Sequence, residues 1–530
     1  MLKKKLPIPL IFSIIFICLA CIGLTKVGLY YDELHQAVAS FAYKGMQPVF
    51  FNRFEYHGIP LMNMTYSGAI KSNIYGMYMF LFDQEFSVLS WRLMGVLSVG
   101  LSLFLFGVLI GKNLPKYTLT LFYLLFLTDV SILFMVRYDW GPVALALSMR
   151  LLFIAFWIKG DSEDRPAKMN SLILGLIAGV SFYEKLSSVV LIIPLIYILL
   201  FNKHRRNAKH FIYASSGYMI GCMPLIAINI YTCISQKVLF SMESVKSMSQ
   251  FSIPDFINYF SQYISLGNGS QVKSWISGVT TPAIMINFET ILMISLLIFL
   301  LLMALLDGFK GKFISYNWIS FLSYITLGIV IYLLPQKTWT HHWIIGTPFQ
   351  YIGISFAVFS LLSENKKFSP TIVYMRRKII LALIFLFLAI RSYSLFSAEK
   401  IFLAGNTSSI WSTEFTRLGE FAAKQPGNAL FIAADWGVAT QIYCLGNGKT
   451  KIFELFWRSE DATESTLNEI INKNNINYIY LLYKEPPTSV FPVITSNILP
   501  TMKNLHECKE VDIEDEIKFK NIRIHKFVKD

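Results

Sequence analysis

Long apolar runs separated by short basic stretches dominate the chain, and each run approaches the roughly 20 apolar residues that a helix needs to cross a bilayer. Residues 6–29, 86–110, 117–134, 142–158, 211–231, 284–306, 314–334, 343–362 and 379–396 each predict one crossing. Residues 170–201 are too long for one straight span and are basic on both flanks, which predicts two short helices meeting at a turn near Tyr183-Glu184-Lys185. The alternative is one long tilted helix with a buried Glu184–Lys185 pair. A charge at mid-bilayer costs roughly 2.5–3.5 kcal/mol on insertion scales, which favours the turn. The count is therefore about eleven transmembrane helices.

Lys3-Lys4-Lys5 precedes the first run, so the excess of basic residues on cytoplasmic loops predicts a cytoplasmic N-terminus and an outward-facing Tyr30. With that start, the basic loops at Lys112 and Lys116, Lys159 to Lys168, Lys203 to Arg206, Lys310 and Lys312, and Lys366 to Lys378 all fall on the same inner side. Residues 232–283 form a long outer loop with an amphipathic piece at 253–264. From about residue 397 the pattern changes to short buried strands at 430–434, 451–456 and 478–482, with helical periodicity at 414–424 and 464–471. This predicts a mainly α polytopic membrane domain over 1–396, with a long first outer loop, and a small α/β domain over 397–530 on the outer face.

Composition agrees: 54% of the 530 residues are hydrophobic and only 15% charged, too few to cover so much apolar surface in water. The net charge of +14 sits at the ends of the apolar runs, where it sets topology and gives no reason to expect a nucleic-acid partner. The Lys-, Asn-, Ile- and Phe-rich usage reads as bacterial, implying an inner membrane and a periplasmic or extracellular C-terminal domain. Cys18-Leu19-Ala20-Cys21 faintly matches a lipoprotein cleavage site, but an uncleaved signal-anchor helix fits better. Cys222 and Cys233 lie in or near the seventh span. Cys444 and Cys508 share the outer domain, and whether they pair is open.

The outward-facing charges form a short set: Asp32, Glu33, Lys71, Arg92, Arg137, Asp139, Glu184 and Lys185, joined by His341-His342 between tryptophans. They come from distant parts of the chain, and the predicted topology brings them to one interface. One charge at a helix end is ordinarily a snorkelling anchor. Arg92 lies inside the second span and needs a partner or a wet cavity. Carboxylates and cations together at headgroup depth suit a lipid-linked sugar phosphate, with a carboxylate to deprotonate an attacking hydroxyl and Lys or Arg to hold phosphate. Asp435-Trp436-Gly437 follows a strand, where α/β folds often bind ligands, although a simple turn explains it better.

Five short motifs in order resemble the GT-C superfamily of polyprenyl-phosphate-sugar glycosyltransferases, especially the branch holding protein O-mannosyltransferases and lipid A aminoarabinose transferases. They are Asp32-Glu33 opening the first outer loop, Tyr66-Ser67-Gly68-Ala69-Ile70-Lys71, Trp91-Arg92, Arg137-Tyr138-Asp139, and the stretch 175–194 with Lys185 at its centre. The Pro-Pro-Leu expected after the Lys is Ser72-Asn73-Ile74 here. The resemblance implies a hexosyl- or pentosyltransferase that moves a sugar from a polyprenyl-phosphate donor to the hydroxyl of a glycan, lipid or protein acceptor at the non-cytoplasmic face. Asp32 would be the general base and Glu33 or Asp139 its orienting partners. Lys71, Arg92, Arg137 and Lys185 would hold the donor phosphate, with His341 and His342 as possible substrate contacts. The resemblance demands no metal and no other cofactor, and no ligand cluster in the sequence argues for one. The competing expectation is a transporter or flippase for lipid-linked or polar substrates, but no internal repeat supports it.

Overall fold

The computed structural model describes residues 7–46, 54–161, 168–202, 204–242, 252–309, 315–335, 338–362, 370–455, 463–485, 488–505, 508–511 and 519–529. Lys3 to Lys5, Arg165, Lys203, Lys310, Lys312 and Lys366-Lys367, used above to orient the chain, lie outside these residues. The helices in the first half are α1 (Pro7–Cys21), α2 (Tyr31–Ala37), α3 (Ile70–Leu81), α4 (Val88–Ile110), α5 (Lys116–Leu127), α6 (Val130–Arg137), α7 (Val143–Asp161), α8 (Lys168–Glu184) and α9 (Ile192–Phe201). They continue as α10 (Ala208–Gly221), α11 (Met223–Gln236), α12 (Ile253–Ile264), α13 (Ser270–Ser277), α14 (Ala283–Phe309), α15 (Tyr316–Leu333), α16 (Thr340–Trp343), α17 (Thr347–Leu362) and α18 (Pro370–Leu403). A small antiparallel sheet, β1 (Phe54–Tyr56), β2 (Ile59–Met64) and β3 (Ser67–Gly68), lies in the first loop.

Among the described residues, six helices, counting α16 and α17 as one, are long and apolar enough to cross a membrane, or up to eight if each bent pair is one span. Ile8–Cys21 and Leu186–Phe201 are shorter apolar helices. The chain is a multi-pass membrane protein. Large apolar side chains such as Leu101, Ile291, Leu302 and Phe385 point outward from the bundle, as helices facing lipid require.

Three spans differ from the sequence reading, each for a visible reason. The first helix stops at Cys21, eight residues short of the predicted end, because two buried arginines take the carbonyls beyond its last turns. Arg137 donates to Leu19 and Ala20 (2.7 and 3.1 Å), and Arg92 donates to Leu24, Val27 and Gly28 (2.7, 3.1 and 3.0 Å). A helix end leaves such carbonyls without intrahelical partners, and here side chains supply the missing donors. The third span is bent by 62° between α5 and α6, where the Asp129 side chain accepts from Ile132 N and from the Tyr351 hydroxyl, next to Arg391. The seventh is bent by 66° at Cys222, just before Pro224. Near Lys185 the chain breaks as expected: α8 ends at Glu184, and Lys185 is extended.

The C-terminal part holds a five-stranded sheet, β4 (Ala429–Ala433), β5 (Lys451–Glu454), β6 (Tyr478–Lys484), β7 (Cys508–Val511) and β8 (Ile522–Lys529), in the order β5-β4-β6-β8-β7. The first three strands of that order are parallel, and β8 is antiparallel to its neighbours. One face packs on α19 (Glu414–Ala423) and α20 (Ala439–Leu445), the other on α21 (Glu464–Lys473) and α22 (Pro492–Lys503). The first of these cores runs on without a break into Leu34, Val38, Phe41, Tyr75 and Trp91 of the first loop and α4. Cys444 lies in that core and Cys508 in the opposite one, and no disulfide joins them.

Candidate active site

Successive residues on a helix are rotated by about 100°, so the adjacent carboxylates of Asp32 and Glu33 must look in different directions. Glu33 is fully buried and closes a two-pronged pair with Arg92 at 2.6 and 2.8 Å. Together with the three carbonyls at the end of α1, it occupies all five N–H groups of Arg92. Asp32, by contrast, is partly exposed, with Lys185 as the opposite charge acting on it and the Tyr30 hydroxyl within hydrogen-bonding reach. Burial raises its carboxyl to about 6, against the opposing pull of Lys185 and Tyr30.

Lys71, in the first turn of α3, forms a buried ion pair with Asp139 and lies 3.6 Å from the centre of the Trp91 ring. Gly95 of α4 faces this pair: a Cβ there would lie 3.6 Å from both Asp139 Cγ and Lys71 Nζ. Asp139 itself has φ +43°, an uncommon backbone for a residue with a side chain, and its carboxylate also accepts from Ala144 N at 3.3 Å. Glu184 accepts from Ile70 N at 3.1 Å and so fixes the start of α3.

Lys185 stands at the break after α8. The main chain beside it pairs with Ser67 of β3, which ties the break to the first loop. Gly141 (φ +70°), between α6 and α7, marks where several elements converge: a side chain there would begin 3.9 Å from Gln36 Nε2, His341 Cδ2 and Lys185 Nζ. His341 is buried with its Nδ1 unpartnered, whereas His342 Nδ1 accepts from Trp339 N at 3.0 Å. Among the described residues no ion pair is made by Lys185, and burial lowers its ammonium to about 7, with Arg150 adding to the shift.

One wall of this space is aromatic. Tyr30 stacks on Trp411 (4.4 Å between ring centres) and meets Trp140 and Trp436 edge-on (5.7 and 5.6 Å), and Trp140 continues to Trp275 and His341. Trp436 comes from the C-terminal domain, as does Glu454, which accepts from the Tyr31 hydroxyl at 2.9 Å. Gln441 Nε2 donates to Leu29 O at 3.1 Å. Both flanks of the helix that carries Asp32 are therefore held by the sheet domain. Asp435 accepts from the Trp436, Val490 and Phe491 N–H groups, so its motif builds a turn that presents Trp436.

Of the nine residues expected at the site, Lys185 and His341 meet at Gly141, and Asp32 and His342 lie within electrostatic reach of Lys185. Lys71 and Asp139 form a paired flank against Gly95. Arg92 with Glu33, and Arg137, do not offer free cations, contrary to the expectation that both arginines hold phosphate. Arg137 is spent on Glu399 and on the carbonyls of Leu19 and Ala20. Sequence reasoning missed Arg150, buried on α7 with Nε and Nη1 unpartnered. Its signal was present: a lone arginine inside the fourth apolar run, with no acid on the same helix face. Among the described residues no group of three or more His, Cys, Asp or Glu side chains is arranged to hold a metal ion.

No protein-family model and no curated protein sequence matches the chain. Among solved structures, it is similar to ArnT from Cupriavidus metallidurans bound to undecaprenyl phosphate, at a TM-score of 0.57 and 8% identity over 97% of both chains. It is equally similar to the same protein in the apo state, at 0.57 and 8% over 92% of this chain and 94% of that one. The likeness spans the membrane bundle and the C-terminal sheet together, and it shows that this chain shares the fold of that protein.

Proposed function

We propose that this protein is a membrane glycosyltransferase that moves a sugar from a polyprenyl-phosphate donor to an acceptor hydroxyl. The observation that carries this is the one partly open carboxylate of the site, Asp32, facing an unpaired Lys185 in a fold shared with a protein solved with undecaprenyl phosphate. Asp32 deprotonates the acceptor hydroxyl as that oxygen attacks the anomeric carbon with inversion, and the bond to the lipid phosphate breaks. Lys185 takes the growing charge on the departing phosphate, an interaction that strengthens toward the transition state. Lys71 serves the phosphate from the flank, with Asp139 orienting it, and His341 and His342 border the sugar. Glu33 with Arg92, and Arg137 with Glu399, keep the first loop and α1 in register with the site.

In this reading the pocket opens on the non-cytoplasmic side of a bacterial inner membrane. About eleven crossings, a cytoplasmic N-terminus, a transmembrane catalytic part over 1–396 and a domain over 397–530 on the outer side complete it. Membranes carrying the wild type, given undecaprenyl phosphate linked to labelled glucose, mannose or aminoarabinose, are expected to release undecaprenyl phosphate and pass the label to an acceptor. Asp32→Asn is expected to stop transfer without preventing insertion. Equal transfer by both proteins would remove Asp32 from the chemistry, and labelling of single cysteines placed beside Asp32 from the cytosol would refute the orientation.

A further inference from the structure

Five arginines are buried among the described residues, and four of them have a carboxylate. Arg92 pairs with Glu33 at 2.6 Å, Arg205 with Asp161 at 3.0 Å, Arg391 with Glu289 at 2.8 Å, and Arg137 with Glu399. Arg150 is the exception. It is 2% exposed, and its Nε and Nη1 have no hydrogen-bond partner. An isolated ion inside a protein is strongly disfavoured and persists only where something compensates it. Among the described residues no carboxylate forms an ion pair with Arg150. The groups within electrostatic reach are Lys185, a second cation without an ion pair, together with His342 and Tyr263.

Asp32, Asp139 and Glu184 act on Lys185 without closing an ion pair on it, whereas no carboxylate acts on Arg150, and a buried guanidinium left without an anion suits a protein that receives one. The guanidinium is fixed, always charged, and can offer two parallel N–H groups to phosphate, while the lysine adds a point charge. Arg150 lies seven residues into α7 from Val143, about 10 Å along the axis from the mouth at Gly141, and its long side chain spans part of that depth. Lys185 Nζ lies beside Gly141, just ahead of α7, within electrostatic reach of Arg150.

We propose that Arg150 and Lys185 together form an anion site inside the pocket, built to take the phosphate of a lipid-linked donor. This rests on the glycosyltransferase reading for the lipid, but not for the phosphate. It makes Arg150 the residue that draws the donor phosphate below the mouth, so that the anomeric carbon comes level with Asp32. Lys71, whose charge is already met by Asp139, contributes less.

The full-length protein in detergent is titrated with undecaprenyl phosphate, undecaprenol and inorganic phosphate, following binding by native mass spectrometry and thermal melting. The wild type is expected to prefer undecaprenyl phosphate over undecaprenol, and Arg150→Met to weaken that binding by about ten-fold or more while leaving undecaprenol unchanged. Without any ligand, Arg150→Met is expected to melt higher than the wild type, since it removes an uncompensated charge; a purely structural arginine would give the opposite. Arg150→Lys is expected to bind between the two. Equal binding of undecaprenyl phosphate by the wild type and Arg150→Met would overturn the site and leave the enzyme reading standing. A wild type that ignores undecaprenyl phosphate but is stabilised by inorganic phosphate through Arg150 would keep the anion site and sink the lipid-donor reading. Indifference to both phosphates would sink both.

Discussion

Two sets of charges stand side by side in this bundle and do opposite work. In the first, Glu33–Arg92, Glu399–Arg137, Asp161–Arg205 and Glu289–Arg391 are matched, and their remaining donors are turned onto main-chain carbonyls or side chains of neighbouring segments. In the second, Asp32, Lys185 and Arg150 surround a shared space without closing on one another. Matched pairs tolerate burial because each ion and each lone pair has a partner, so they fix helix ends and bends. An unmatched set leaves its charges available to a substrate, and the fold carries the strain of holding them. The adjacent residues Asp32 and Glu33 illustrate the division: a single step of about 100° around the helix sends one carboxylate to each set.

The largest effect should come from breaking the unmatched set at its base. Asp32→Asn keeps the shape and removes the proton acceptor, and transfer is expected to fall by about 10²–10⁴-fold, the usual contribution of general base catalysis. Undecaprenyl phosphate binding should stay within about two-fold, because the phosphate contacts are elsewhere. Steady-state transfer with a labelled donor and a binding titration on the same preparation check both halves.

Breaking the matched set should instead unfold the protein. Arg92→Met leaves Glu33 buried without its partner and frees three carbonyls at the end of α1, with an expected loss of about 3–5 kcal/mol. The double variant Arg92→Met, Glu33→Gln should recover part of it. Thermal melts and the yield of folded protein measure this; a double variant no better than Arg92→Met alone would deny that the pair is the reason.

The unmatched set should also show itself in pH dependence. Burial holds Asp32 at about 6 and Lys185 at about 7, the lysine further depressed by Arg150. The base must be ionised and the lysine protonated, so kcat/KM is expected to rise through about pH 6 and to fall above about pH 7, a narrow bell belonging to the coupled pair. In Arg150→Met the falling limb should move to higher pH, since a neighbouring cation is gone. A limb that stays in place would separate Lys185 from Arg150.

Much of the fold was legible because lipid imposes a simple rule: apolar runs of fixed length, broken where charge appears. The runs at α4, α7, α14 and α15 stand within a few residues of their predicted bounds. The bends at Asp129 and Cys222 were not legible. The first is set by Arg391 and Tyr351, more than 200 residues away in the chain, and no local pattern encodes that. The site divides the same way. Sequence could place Asp32, Lys71, Asp139, Lys185 and the histidines on one side, but only pairing distinguishes a spent arginine from a free one. Arg92 and Arg150 look equivalent as letters inside apolar helices, and their partners make them opposites.

The smallest effect expected at neutral pH lies where the C-terminal domain meets the site. Glu454 ends β5, is buried, and accepts from Tyr31, the neighbour of Asp32, while its second oxygen has no partner. Burial raises its carboxyl to about 8 from an ordinary 4.5, so at pH 7 the group is mostly neutral. A glutamine resembles that neutral acid, and Glu454→Gln should leave transfer within about two-fold at pH 7. The sign of the linkage then separates the two proteins. Between about pH 4.5 and 8 the folded wild type holds a proton that the unfolded chain has lost, so its stability declines as pH rises through that window. The glutamine variant lacks this slope, and its melting temperature should overtake that of the wild type toward pH 8. Parallel melting curves for the two proteins across the window would mean that Glu454 is ionised at neutral pH. The contact between the sheet domain and Tyr31 would then belong with the matched charges.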